Sequence, residues 1–152
     1  MIEILRDDIA DDAVMNLLSE HLADMYSHSP PQSVHALDIE KLKHPSVTFW
    51  VARECGTVLG CVALKELDPI HGEMKSMRTA ATSRNRGVGS RLLEHVIQQA
   101  GSRGYTRISL ETGSMDFFEP ARRLYGKYGF EYCGPFADYE LDANSVFMTR
   151  LI

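Results

Sequence analysis

The chain has 152 residues, of which 44% are hydrophobic and 24% charged, as expected of one soluble globular domain spanning 1–152 that buries roughly two thirds of its unfolded surface. Its 16 Lys and Arg stand against 21 Asp and Glu, for a net charge of −5, and no long basic run exists to track a phosphate backbone, so nucleic acid is not an expected partner. No stretch approaches a membrane span, and "MIEILRDDIADD" is acidic where a secretory signal is basic and then apolar, which points to a cytoplasmic protein with no membrane partner.

The first element is a strand, "IEIL". From Asp12, a good N-cap, the residues Val14, Leu17, Leu18, Leu22 and Met25 recur at helical spacing and predict an amphipathic helix over 13–26. The loop "SHSPPQS" then breaks any helix that would align His21, His28 and His35, which read as unrelated polar histidines. A short helix over 37–43 ends before Pro45. The period changes in "VTFWVARECGTVLGCVALKEL", a β-hairpin turned at "ECGT", and a third strand over 72–79 follows the "DPIHG" turn. Next comes "SRNRGVGSRLL", where Leu92, Leu93, Val96, Ile97 and Ala100 mark a helix face that runs to "GSRG". "TRISLET" is a strand, 119–128 a helix ended by Gly129, and "FEYCG" and "SVFMTRL" are two last strands. This alternation implies an α+β (α/β layered) architecture with helices packed on a partly parallel sheet. Cys55, Cys61 and Cys133 form no Cys-x-x-Cys pair, so neither a disulfide framework nor a metal site is expected.

The Gly-rich turn carries the chemistry. A helix N-terminus has unpaired N–H groups and partial positive charge, and glycines ahead of it admit a ligand close to the backbone. Arg84 and Arg86 add formal charge, so phosphate or pyrophosphate is the natural guest. There is no Gly-Lys-Ser/Thr for a nucleoside triphosphate loop, and Gly87-x-Gly89 lacks the third glycine of a dinucleotide fingerprint. A surface loop with solvated arginines reads equally well from these residues alone.

Arg84-Asn85-Arg86-Gly87-Val88-Gly89, between a strand and a helix, resembles the Q/R-x-x-G-x-G/A motif of the GCN5-related N-acetyltransferase (GNAT) family, and "EPARRLYGKYGF" resembles that family's A-x-x-L-Y-x-x-x-G-F element. The order of elements agrees along nearly the whole chain. Within the family, "ALKELDPIHGEMKSMRTAATSRNRGVGSRLLEHV" and "SVFMTRLI" are most similar to the bacterial YsnE-like subgroup.

The resemblance implies a mixed, mostly antiparallel sheet of about seven strands flanked by about four helices, and transfer of an acetyl group from acetyl-coenzyme A to an amine by direct attack in a ternary complex. It places the coenzyme pyrophosphate on Arg84, Asn85, Arg86, Gly87, Val88, Gly89 and Ser90. It places the pantetheine arm along Met77 and Thr79, with a main-chain N–H near Met77 as oxyanion donor, while Thr112 stands near where many relatives have a contacting asparagine. Glu73, eleven residues before Arg84, matches the position of the glutamate base in the histone-acetylating branch; a water chain or His71 is the substitute. An ion pair between Glu73 and Lys75 is the competing reading. Tyr125 matches the family's general acid and also contacts the coenzyme. Strand alternation is expected to put Glu73, Lys75, Met77 and Thr79 on one face and Arg78 on the other.

The acceptor is open between a small amine and a protein or peptide amine. Asp38, Glu66, Asp68, Asp138, Glu140 and Asp142 make the acceptor-side segments acidic, which favours a cationic amine or merely a solvated rim. A non-catalytic coenzyme-binding sensor and a nucleotide-binding or interaction domain are the alternatives; small enzymes of this kind are commonly homodimers, so a homodimer is among the partners open to the chain.

Overall fold

The computed structural model describes residues 1–34 and 39–152. His35 and Asp38 therefore lie outside the described residues, as does the start of the helix expected over 37–43. The strands are β1 (Glu3–Arg6), β2 (Val47–Glu54), β3 (Thr57–Asp68), β4 (His71–Thr79), β5 (Arg107–Gly113), β6 (Glu131–Cys133) and β7 (Ser145–Leu151). The helices are α1 (Asp12–His28), α2 (Ile39–Leu42), α3 (Val88–Ser102) and α4 (Glu119–Lys127).

The seven strands form one open sheet in the order β1-β2-β3-β4-β5-β7-β6, antiparallel except at β4 and β5. Alternation splits β2 and β3 between two cores. Trp50, Ala52, Val62 and Leu64 pack under α3, whose Leu92, Leu93, Val96 and Ala100 are fully buried. Phe49, Val51, Cys61 and Ala63 face the opposite side with Val14, Leu17 and Leu18 of α1. Each of the large apolar side chains contributes about 1.5–3 kcal/mol by leaving water, which fixes both helix layers on the sheet. Helix α1 starts one residue before its expected range, and its N-cap is Asp11 rather than Asp12: the Asp11 carboxylate accepts from the Ala13 N–H at 2.7 Å.

Two irregularities shape the centre. β4 and β5 pair only from His71 to Glu73 and from Arg107 to Ser109, then part. β4 also carries a bulge. Lys75 opposes Ala63 and Arg78 opposes Cys61, so two residues, Ser76 and Met77, stand against Val62 alone, and Ser76 takes φ +53°. The extra residue reverses the alternation beyond it. Glu73, Lys75 and Arg78 lie on the α1 face, opposite Lys65, Ala63 and Cys61, whereas Met77 packs in the α3 core and Thr79 lies opposite Gly60, where an added Cβ would meet Val88 and Leu92 of α3. The shared face expected for Glu73, Lys75, Met77 and Thr79 is therefore corrected, as is the placing of Arg78.

Candidate active site

The segment after β4 passes through a short 3-10 turn, Ala81–Ser83, and enters α3 with Asn85 at φ +64° and Gly87 at φ +76°. Gly87 is the N-cap; it has no side chain to bond the first-turn amides of α3, which leaves their N–H groups facing a cleft of about 570 Å³. Arg84, Asn85, Gly87, Val88, Gly89 and Ser90 line that cleft, together with Met77 and Thr79 from β4. Arg86 does not line it, because its guanidinium donates to Glu54 at 2.6 Å. Gly89 has a packing reason as well: a Cβ there would stand 3.2 Å from Leu124 of α4, tighter than ordinary contact, and 3.5 Å from Met77.

Arg78 reaches into the same cleft and pairs with Asp24 of α1, whose carboxyl is held below the usual range by that hydrogen bond and by the nearby charge of Arg84. His21, one α-helical turn earlier, is driven down to about 4 by burial and by Arg78, so its imidazole is neutral at pH 7. Spacing had grouped His21 with His28 and His35 as unrelated polar residues; nothing in a single sequence shows that α1 lies over the β4 bulge.

A second, narrower cavity of about 100 Å³ opens where β4 and β5 part. Glu73 and Met77 line it from β4, Glu111 and Thr112 from β5, and Tyr125 from α4. Tyr125 lines both this gap and the cleft of the α3 N-terminus. Burial, and then the Glu111 carboxylate, push its phenol up to about 12, so it holds its proton at neutral pH. Burial likewise pushes Glu111 up to about 7.

The carboxylate of Glu73 is only 3% exposed and is already engaged. Its Oε2 accepts from Lys75 Nζ at 3.0 Å and from the Tyr139 hydroxyl at 2.5 Å, and Lys75 donates also to Tyr139 at 2.8 Å. Burial and the charge of Glu73 raise the Tyr139 phenol. Tyr139 was missed by sequence reasoning, which read "FADYELDANS" as a polar rim; an aromatic residue in an otherwise acidic loop was the available signal. His71 lies where β4 and β5 still pair, bonds Ser109 Oγ at 2.7 Å, is lowered by burial, and lines neither cavity.

Beyond Glu73, Lys75 and Tyr139 lies a third cavity of about 730 Å³, reached by Lys41, Lys65, Asp138 and Glu140. The acidic rim is thinner than the sequence implied. Glu66 accepts from the Tyr105 hydroxyl, Asp68 from the Ile70 N–H, and Asp142 from Ser33 Oγ at 2.6 Å, so these carboxylates are engaged within the protein, the first and last across distant segments. Among the described residues no group of three or more His, Cys, Asp or Glu is placed to hold a metal ion, and no helix is long and apolar enough to cross a membrane.

A parted pair of parallel strands beside an uncapped, glycine-entered helix N-terminus defines an acyl-coenzyme A transferase architecture. The sequence model of the acetyltransferase (GNAT) family matches residues 12–130, and the chain belongs to that family. It is 56% identical over 144 residues to YsnE of Bacillus subtilis, named an N-acetyltransferase, with 95% of each chain covered. It is 38% identical to an IAA acetyltransferase of Azospirillum brasilense, covering 98% of this chain and 97% of that one. A GNAT family acetyltransferase of Elizabethkingia anophelis, solved with acetyl-coenzyme A bound, shares the fold at a TM-score of 0.70 and 21% identity, covering 99% of this chain and 98% of that one. The protein is an acetyl-coenzyme A-dependent N-acetyltransferase.

Proposed function

We propose that the protein acetylates a primary amine by direct attack on acetyl-coenzyme A, with both substrates bound together. The observation that carries this reading is the position of Tyr125, whose protonated phenol lines both the cleft at the α3 N-terminus and the gap between β4 and β5.

In this reading the amides of Val88, Gly89 and Ser90, with Arg84, Asn85 and Gly87, hold the pyrophosphate, while Arg86, paired with Glu54, stands outside the cleft. The pantetheine arm runs along Met77, Thr79 and Thr112, and two observations suit such a guest: Ser76 Oγ and Arg78 Nε are buried without a hydrogen-bond partner, beside the gap and the cleft respectively. The main-chain N–H near Met77 serves the oxyanion that forms as the amine attacks. Tyr125 gives its proton to the departing thiolate.

The acceptor enters from the third cavity, past Tyr139. Of the three proton routes, Glu73, water and His71, the geometry favours water, since His71 lines neither the gap nor the cleft. A proton on Glu73 would leave Lys75, only 8% exposed at its side chain, without its counter-charge. Glu73 then serves to hold Lys75 and Tyr139 in place between the gap and the third cavity rather than to take the proton. The relatives named for IAA and, among solved structures, for aminoglycosides support a small-molecule acceptor.

Calorimetric titration with acetyl-coenzyme A, coenzyme A and ATP, followed by a thiol-release assay against small amines and a lysine peptide, tests the proposal. Selective coenzyme binding with thiol release that Tyr125→Phe slows by about 100-fold, at unchanged coenzyme affinity, is the expected result. An unslowed Tyr125→Phe would remove the phenol from the mechanism.

A further inference from the structure

The third cavity holds charges of both signs in different places. Asp138 and Glu140 are exposed on the loop between β6 and β7, whereas Lys65 and Lys75 stand half-buried on the adjacent strands β3 and β4. Lys75 is answered by Glu73 at 3.0 Å. Lys65 is not. It opposes Glu73 across the β3–β4 pair, yet Glu73 Oε2 goes to Lys75 and Tyr139, and among the described residues no carboxylate pairs with the Lys65 ammonium.

We propose that Lys65 binds a carboxylate of the acceptor, so that the amine acetylated is that of a free amino acid rather than a simple amine or the lysine of a protein. The inference deepens the acetyl-transfer reading above and rests on its placing of the acceptor in the third cavity.

The strand framework makes Lys65 a fixed point. Its residue opposes Val47 of β2 on one side and Glu73 of β4 on the other, so its backbone is held in the interior of the sheet. A half-buried ammonium without a counter-charge carries a desolvation cost that an incoming carboxylate offsets. The neighbouring negative charge does not repel that carboxylate, because Lys75 already balances Glu73.

Reach agrees with a small molecule. Directly opposed residues of an antiparallel pair stand about 4.5–5.5 Å apart at Cα, so Lys65 starts beside the wall formed by Glu73, Lys75 and Tyr139. That wall borders the gap between β4 and β5 as well as the third cavity, and Lys65 lines only the cavity. An amino acid can hold Lys65 with its carboxylate and turn its nitrogen towards the gap.

Charge narrows the class further. A zwitterion has both of its charges met here, the ammonium by Asp138 and Glu140 on the loop and the carboxylate by Lys65 on the sheet. Lys41 of α2 reaches the cavity as well, and Asp142 there is engaged by Ser33. A phosphate monoester, with a charge of about −1.5 to −2 at pH 7, would set a second negative charge against the same two loop carboxylates. One carboxylate matches one unanswered ammonium.

Calorimetry on protein saturated with coenzyme A reads acceptor binding without turnover. The probes are the common L-amino acids, each set against the amine that lacks its carboxyl group, such as L-phenylalanine against 2-phenylethylamine, with O-phosphoethanolamine as the phosphate arm. At least one amino acid should bind about 10- to 100-fold more tightly than its amine. Lys65→Met breaks no ion pair and lies outside the coenzyme cleft, so it should fold and keep its coenzyme affinity while erasing that preference. Lys65→Arg should restore part of it. In thiol release, Lys65→Met should raise KM for the preferred amino acid about 10-fold or more and leave kcat within about two-fold. No preference for any amino acid over its amine, a preference that survives Lys65→Met, or binding of O-phosphoethanolamine alone overturns the proposal. A wild type that prefers amino acids in calorimetry yet releases no thiol with any of them supports the binding role and counts against the acetyl-transfer reading.

Discussion

Tyr139 donates its hydroxyl to Oε2 of Glu73 at 2.5 Å although 66 residues separate them, and Lys75 holds both. The contact ties the loop before β7 to the end of the paired stretch of β4. Tyr139→Phe removes the hydroxyl that donates to Glu73 and accepts from Lys75, two hydrogen bonds to buried charges, and should cost at least about 1.5–3 kcal/mol in a denaturant melt. Lys75→Met strands the carboxylate and should cost about 3–5 kcal/mol, much of which Glu73→Gln in the same chain should return. A double variant no better than Lys75→Met would show that the three groups do not act as a unit.

Glu111 trades stability for its place in the gap. Its carboxyl is raised from 4.5 to about 7 in the fold, so the unfolded chain releases the proton first and stability falls as pH rises through that window. Glu111→Gln should therefore be more stable than the wild type at pH 8, by on the order of 2–3 kcal/mol, with the advantage shrinking towards pH 4. Thermal melts of both proteins across pH 4–8 check the sign.

His21 acts in the opposite sense. Its imidazole is lowered from 6.5 to about 4, so the unfolded chain takes the proton first and stability is lost as pH falls through that window. His21→Gln should flatten the acid limb of the melting profile between pH 6.5 and 4 while leaving the behaviour above pH 7 unchanged.

The two glycines of the turn should respond differently. Gly87→Ala must hold φ +76°, at a cost of about 1–2 kcal/mol, with open space around the new methyl. Gly89→Ala improves helix propensity by about 1 kcal/mol but presses on Leu124 and Met77. Thermal stability should drop for the first and hold for the second, whereas coenzyme affinity measured by calorimetry should fall by about 10-fold or more for Gly89→Ala. Equal affinity in Gly89→Ala would separate that face from the coenzyme.

The element order and the turn at 84–90 were legible because they rest on local signals: a 3.6-residue period in α3, alternation in β2 and β3, and glycines where the chain needs positive φ. The alternation argument failed at Ser76 because a bulge depends on the register of two strands, and Ser is not a residue that announces positive φ. Tyr139, His21 and Glu111 were hidden for a related reason. Each gains its meaning from a partner on another element, and a single sequence carries no distances between elements.

The bulge also divides one strand between two clients. Upstream of Ser76, β4 turns Glu73 and Lys75 towards the third cavity; downstream it turns Met77 and Thr79 towards α3 and its cleft. A single inserted residue thus lets neighbouring positions on one backbone line different cavities, so a substitution before the bulge leaves the cleft beyond it undisturbed.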